Sequence, residues 1–349
     1  MDKITQYALD QISLVIKNNE RVEKKLELLD PALFLASLNQ IRNSRLQRVM
    51  RRLLGIPLEK IPVSLRTFLT DLLKKARNPK KELPVPSEIS FKYGDFLIKE
   101  CHAGILYPEN KKYYIGVTHD VDNRIGYRYV PEMINVLKKN RIKSTINFLT
   151  HSSYKLEKSL VEDIRKEGFE VGLHGDIHDM GLAFRGRRAI RRRLERSLDY
   201  LGFQPFGFRS PSLSLSYDLL GALDDLHFTY DSTFQTGSSL YRSTEYPYIY
   251  KLDQYNLFEA PLFIQDDYFF RESRLSEKES LKIFTDLIGQ MKKYSGAAII
   301  NLHPHIVRFR KYFFSGVLEF VSGEKDAFSG PLYTLIRFYQ ERRKAREAV

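Results

Sequence analysis

The residues best suited to chemistry lie in the stretch Gly168 to Asp179, which reads Gly-Phe-Glu-Val-Gly-Leu-His-Gly-Asp-Ile-His-Asp. Phe169 to Leu173 alternates bulky and small side chains, the pattern of a short buried strand, and His174 stands at its end. Gly175 permits a sharp turn off that strand, and Asp176 suits the first turn of a short helix. A spacing of four then places the imidazoles of His174 and His178 on one side of a single turn, as half of a divalent-metal site. Taken alone, the pair reads more readily as two polar loop residues.

Other strand-like runs end in similar chemistry. Thr118-His119-Asp120-Val121-Asp122 closes an earlier apolar run, Phe208-Arg209-Ser210-Pro211 a later one, and Asn301-Leu302-His303-Pro304-His305 the last. If the chain stays extended at Val121, Asp120 and Asp122 point to one side, where one could bind a metal and the other serve as a base. A turn cap is the plain alternative, because Asp122-Asn123 is good turn chemistry. Arg209 precedes Ser210-Pro211, so the fixed proline backbone could turn the Ser212 N–H toward an anion. Asp231 ends another short run in Tyr230-Asp231-Ser232-Thr233. Glu259, Asp266 and Asp267 follow a late strand at positions that line a cleft, with no role fixed by the sequence.

These residues need a scaffold, and the pattern supplies one. Strands are expected at Tyr113 to Thr118, Ser144 to Leu149, Phe169 to Leu173, Phe206 to Phe208, Phe228 to Tyr230, Leu257 to Pro261 and Ala297 to Asn301. Helices are expected between them, at Pro131 to Lys139, Lys155 to Lys166, Arg185 to Leu201, Tyr217 to Asp225 and Ser276 to Tyr294. Strands alternating with helices give a parallel sheet, open or closed into a barrel. Active sites built from the carboxyl ends of several parallel strands have this look. Residues 1–82 read as a helical, basic N-terminal region. A linker runs through Asn78-Pro79 and Pro84-Val85-Pro86, a hairpin is one reading of Phe91 to Ile98, and the main domain spans residues 88–349 around a motif core at 113–305.

The 349 residues carry a formal charge of +13, with 43% hydrophobic and 28% charged side chains, values of a globular chain with a sizeable core. The single cysteine, Cys101, excludes a disulfide framework and any cysteine-rich zinc site. No apolar run approaches the roughly 18 residues of a membrane span. The charged amphipathic start at Met1-Asp2-Lys3-Ile4 predicts no secretory signal, so a cytoplasmic protein is expected, in one version peripheral on a membrane. The positive charge clusters between Arg42 and Lys81 and again from Arg185 to Arg196. It points to an anionic membrane surface or a phosphorylated or acidic ligand, with solvated helix faces as the plain alternative. No nucleic-acid motif accompanies it.

The ordered set of motifs resembles the polysaccharide deacetylase family of metal-dependent carbohydrate esterases, over about residues 113 to 305. The five family motifs match Thr118-His119-Asp120-Val121-Asp122, His174-Gly175-Asp176-Ile177-His178, Arg209-Ser210-Pro211, Asp231, and Leu302-His303-Pro304. The resemblance implies a deformed (β/α)7 barrel with an Asp-His-His site for a divalent metal, usually Zn2+. It implies Asp122, His174 and His178 as metal ligands, Asp120 as general base, and His303 as general acid. Arg209 would hold Asp120, and Asp231 would tune His303. Three departures stand out. Val121 occupies the usual metal-binding position, which passes the role to Asp122 in an Asp-x-Asp variant. His119 replaces a phenylalanine and offers an extra ligand. The fourth motif lacks its tryptophan, leaving Phe234 or a tyrosine to wall the pocket.

The implied activity is removal of N-acetyl groups from an amino sugar, in a glycan or a lipid-linked precursor. Two alternatives accompany it: the same metal site acting on another C–N amide such as a cyclic imide, and a catalytically silent protein that binds glycan or membrane.

Overall fold

The computed structural model describes residues 107–179, 181–236, 248–252 and 255–347. The helical region expected over residues 1–82, the linker and the hairpin lie outside the described residues. In chain order the strands and main helices are β1 (Tyr113–Val121), α1 (Arg124–Lys139), β2 (Thr145–Phe148), α2 (Lys158–Lys166), β3 (Glu170–Leu173), α3 (Arg187–Leu201), β4 (Gly207–Phe208), α4 (Tyr217–Asp225) and β5 (Tyr230–Asp231). They continue as β6 (Tyr250–Leu252), β7 (Leu257–Glu259), β8 (Leu262–Gln265), α5 (Glu277–Lys293), β9 (Ala297–Asn301), α6 (Ile306–Phe309), α7 (Lys311–Gly323), β10 (Ala327–Ser329) and α8 (Leu332–Glu347).

Seven strands run side by side in the order β5-β4-β3-β2-β1-β9-β8, every neighbouring pair parallel. A parallel bridge between Gln235, just past β5, and Leu262 of β8 brings the two ends of this row together. The result is the deformed barrel that the resemblance implies, with β7 and the antiparallel β6 added beside β5 and β10 paired to the start of β1. β1 lies between β2 and β9, and every one of its residues is buried. Parallel strands covered on both faces lose the polar–apolar alternation of an exposed sheet. Val117, Ile146, Val171, Phe208 and Ile299 join one core with Met133 and Leu137 of α1. Burying an aliphatic or aromatic side chain of this kind contributes about 1.5–3 kcal/mol.

Three local expectations need correction. β1 runs on to Val121, because its last four residues pair with Thr145–Phe148 of β2, so Asp120 lies within the strand. The first helix starts at Arg124, well before Pro131. The Asn123 side chain accepts hydrogen bonds from the N–H groups of Ile125 (2.9 Å) and Gly126 (3.0 Å), a helix cap where a plain turn was an alternative, and Pro131 sits inside the helix. Finally, β8 is a strand the pattern missed, because its four residues follow β7 after only two. Among the described residues no helix is long and apolar enough to cross a membrane.

Candidate active site

Parallel pairing puts the carboxyl ends of the strands at one end of the barrel, and the chemistry-bearing side chains collect there. Asp122 follows β1, His174 follows β3, and His178 lies four residues farther on. Asp122 Oδ1 is 3.2 Å from His174 Nε2, and Asp122 Oδ2 is 3.5 Å from His178 Nε2. One ligand atom from each of the three residues lies within 4.8 Å of the others.

The hydrogen bonding around these atoms calls for a cation between them. His174 Nδ1 donates to the Arg209 carbonyl at 2.7 Å, which leaves Nε2 of the neutral ring as a bare lone pair facing a carboxylate. Asp122 Oδ1 is buried and has no hydrogen-bond partner among the described residues. Two acceptors at this distance repel unless a proton or a metal ion joins them. A backbone carbonyl on the far ring nitrogen is the usual support for a metal-binding imidazole. Two imidazoles and one carboxylate, with further positions open, are the donor set of a catalytic zinc site. The residues present therefore fit a divalent ion.

The expected short helix between the imidazoles is absent. Gly175 turns the chain with φ +95°, and residues 176–179 form bends and loop. Asp176 anchors this loop instead of starting a helix. Arg193 Nε donates to Asp176 Oδ2 at 2.9 Å, Arg196 Nη2 to the same oxygen at 2.7 Å, and Arg193 Nη1 to Asp179 Oδ2 at 2.7 Å. Part of the arginine cluster on α3 thus works inward, holding the His174–His178 loop. Arg187 pairs with Asp225.

Asp120 sits deeper, clamped from three sides. Asn147 Nδ2 donates to Oδ1 at 2.8 Å, Arg209 Nη1 to Oδ1 at 3.2 Å, and Asn301 Nδ2 to Oδ2 at 2.9 Å. Burial opposes ionisation of Asp120, but Arg209 and His174 beside it outweigh that and hold its carboxyl below the usual range. Arg209 is fully buried, with further bonds to Thr118 Oγ1 (2.7 Å), Ser232 O (2.9 Å) and Ser232 Oγ (2.8 Å). Gly172 makes the Asn147 contact possible: a β-carbon there would stand 2.1 Å from Asn147 Oδ1.

His303 Nε2 lies 3.3 Å from Asp122 Oδ2. On the other side of the ring, Nδ1 donates to Asp266 Oδ1 at 2.6 Å, and Asp266 Oδ2 accepts the His303 backbone N–H at 3.0 Å. Burial works against the imidazolium, yet Asp266 and Asp122 prevail and hold its pKa well above the ordinary histidine value. Asp231 is elsewhere. It accepts from Thr233 Oγ1 at 2.6 Å and faces Glu259, and its burial in that apolar setting pushes its pKa up to about 6. The carboxylate against His303 is therefore Asp266, contrary to the expectation for Asp231. Strand β8, missed in the sequence, is what delivers Asp266.

The remaining expected residues are placed as follows. Ser212 lies on the turn Pro211–Leu213 after Arg209, half-buried, with φ +54°. Phe234 is packed into the apolar core, 4% exposed, so it presents almost no wall to a substrate. His119 donates from Nδ1 to Leu302 O at 2.7 Å and stands outside the cluster of converging ligand atoms, which removes it as an extra ligand.

Residues 108–230 match the family model described as polysaccharide deacetylase. Among solved structures, one from Mycobacterium smegmatis assigned to the polysaccharide deacetylases is 18% identical, covers 68% of this chain and 93% of its own, and superimposes with a TM-score of 0.57. A protein from Bordetella bronchiseptica, assigned to the same class and to O-antigen biosynthesis, is 18% identical over 67% of this chain and 87% of its own, with a TM-score of 0.43. The chitin deacetylase of the fungus Colletotrichum lindemuthianum is 16% identical over 66% and 90%, also at 0.43. No curated protein matches the chain. The sequence match to the polysaccharide deacetylase family model is confined to residues 108–230, and the fold that carries it is shared with the Mycobacterium structure.

Proposed function

We propose that the protein is a metal-dependent hydrolase that removes N-acetyl groups from an amino sugar in a glycan or a lipid-linked precursor. The observation that carries this reading is the convergence of Asp122, His174 and His178 beside an anchored carboxylate, Asp120, and a carboxylate-paired imidazole, His303. The family match supports the substrate class, since the matched description is of deacetylation of polysaccharides.

Asp122, His174 and His178 would hold the ion, Zn2+ being the expected one. Such an ion supplies Lewis acidity, acidifying water and polarising an amide carbonyl. Asp120 is kept ionised and oriented by Arg209, Asn147 and Asn301, and takes a proton from water as attack on the acetamide begins. His303, held protonated against Asp266, gives a proton to the departing amine, which is a poor leaving group without one. The turn at Ser212 follows Arg209, and its N–H would be the donor for the developing oxyanion, a contribution of roughly 3 kcal/mol.

Acetate release from N-acetylglucosamine oligomers tests the proposal. The expected result is turnover that a chelator abolishes and zinc restores, with Asp120→Asn at least about 100-fold slower. Turnover indifferent to chelation would refute the metal role. A folded, metal-loaded protein without turnover on any N-acetylated sugar would favour the silent binder.

A further inference from the structure

Beyond the reaction site, the same end of the barrel carries an unusual surface. The exposed large apolar side chains among the described residues are Ile125, Phe206, Tyr217, Phe309 and Tyr312. The three most exposed lie together at the carboxyl ends of the strands: Ile125 at 59%, Phe309 at 56% and Tyr312 at 58%. Ile125 is in the first turn of α1, three residues after Asp122. Phe309 ends α6, directly after His303, and Tyr312 follows in α7. The two segments touch, since the Phe309 ring meets Tyr129 of α1 edge-on at 5.7 Å.

The charged residues of these segments are cationic. Arg124, Arg128, Arg308 and Lys311 are all exposed, and none forms an ion pair among the described residues. Residues 123–131 and 304–318 contain no acidic side chain. Arg310 lies over the Phe270 ring at 4.7 Å, which leaves the run Arg308-Phe309-Arg310-Lys311-Tyr312 fully at the surface.

We infer that this patch docks the mouth of the barrel onto an anionic lipid bilayer. An aliphatic and two aromatic side chains suit the boundary between headgroups and acyl chains, and unpaired guanidinium and ammonium groups around them suit anionic headgroups. A soluble acidic glycan would use the cations and stack on the Phe309 and Tyr312 rings, but would leave the aliphatic Ile125 without a partner. Docking in this way turns the strand ends, and the site they carry, toward the membrane. A lipid-linked substrate for that site follows only if the deacetylation reading also holds, whereas the docking itself does not depend on it.

The chain contains no tryptophan, so a single indole introduced by Phe309→Trp is a clean local reporter. Phe206→Trp is the control, because Phe206 precedes β4 at the opposite end of the barrel. The full chain is mixed with phosphatidylcholine vesicles with and without phosphatidylglycerol. With phosphatidylglycerol, the F309W emission should shift to the blue and be quenched by brominated acyl chains, while F206W should not respond. Arg124→Ser/Arg128→Ser/Arg308→Ser/Lys311→Ser should weaken partitioning about 1,000-fold, with circular dichroism confirming the fold. Vesicle binding without quenching of F309W would place the contact elsewhere on the chain and overturn the inference. So would an unchanged affinity in Ile125→Ser/Phe309→Ser/Tyr312→Ser, which would mark a polyanion-binding surface, and so would the absence of any vesicle binding.

Discussion

Replacing Asp266 by asparagine keeps the shape of the residue beside His303 and removes its charge. In the native arrangement Asp266 Oδ1 is 2.6 Å from His303 Nδ1, and Oδ2 accepts the backbone N–H of the same residue at 3.0 Å. A hydrogen bond to a charged group is worth about 1.5–3 kcal/mol, so its loss lowers the proton affinity of His303 by about one to two pKa units. A general acid works only while protonated, so activity falls as pH rises through its pKa. Lowering that pKa moves the alkaline limb of kcat/KM to lower pH, and at pH values above both pKa values the rate drops about 10- to 100-fold. The assay is acetate release from an N-acetylglucosamine oligomer across pH, with zinc saturating. Asp231→Asn is the decisive comparison: Asp231 contacts Thr233 and Glu259, so its loss should leave the alkaline limb in place. A limb that moves in Asp231→Asn and stays fixed in Asp266→Asn would refute the assignment.

Three further outcomes are expected. Asn147→Leu removes one of three donors to Asp120, so the pKa of that carboxyl rises and the acid limb of kcat/KM moves up by about one pH unit; an unmoved limb would deny Asn147 its positioning role. Arg193→Ala strips the buried Asp176 of its main partner, which should cost about 3 kcal/mol in urea unfolding and weaken zinc binding about tenfold by calorimetry, because the loop carrying His178 loosens. Burial lowers the pKa of His119 to about 4, so the unfolded chain takes up this proton first as pH falls. Its contribution to stability is complete above pH 6.5 and shrinks toward pH 4, by about 2 kcal/mol at pH 5. Urea titrations at pH 7 and 5 should show that loss in the wild type and not in His119→Phe; equal slopes would contradict it.

Much of the site's location was legible because strand ends carry their own punctuation. Asp120, Asp122, His174, Arg209 and His303 each close an apolar run, and parallel pairing brings such ends together whatever lies between them. Supporting residues carry no such mark. Asn147 and Asn301 read as ordinary polar residues in or at the end of strands until the register sets them beside Asp120. Asp266 follows a strand only two residues removed from β7, so the two strands merge into one run and the carboxylate has no strand end of its own to mark it. The resemblance places Asp231 by motif order alone, and order does not fix which strand end faces His303. The arginines of α3 look alike in the sequence. Only the fold distinguishes Arg193, turned onto Asp176 and Asp179, from those of the cluster that remain at the surface.

Zinc titration of the metal-free full chain, followed by X-ray absorption at the zinc edge, addresses the Asp122, His174 and His178 cluster most directly. One ion per chain is expected, with two imidazole nitrogens and a carboxylate oxygen in its coordination shell, and Asp122→Ala should bind at least about 100-fold more weakly. Equal affinity in wild type and Asp122→Ala, or a shell without imidazole, would contradict the account.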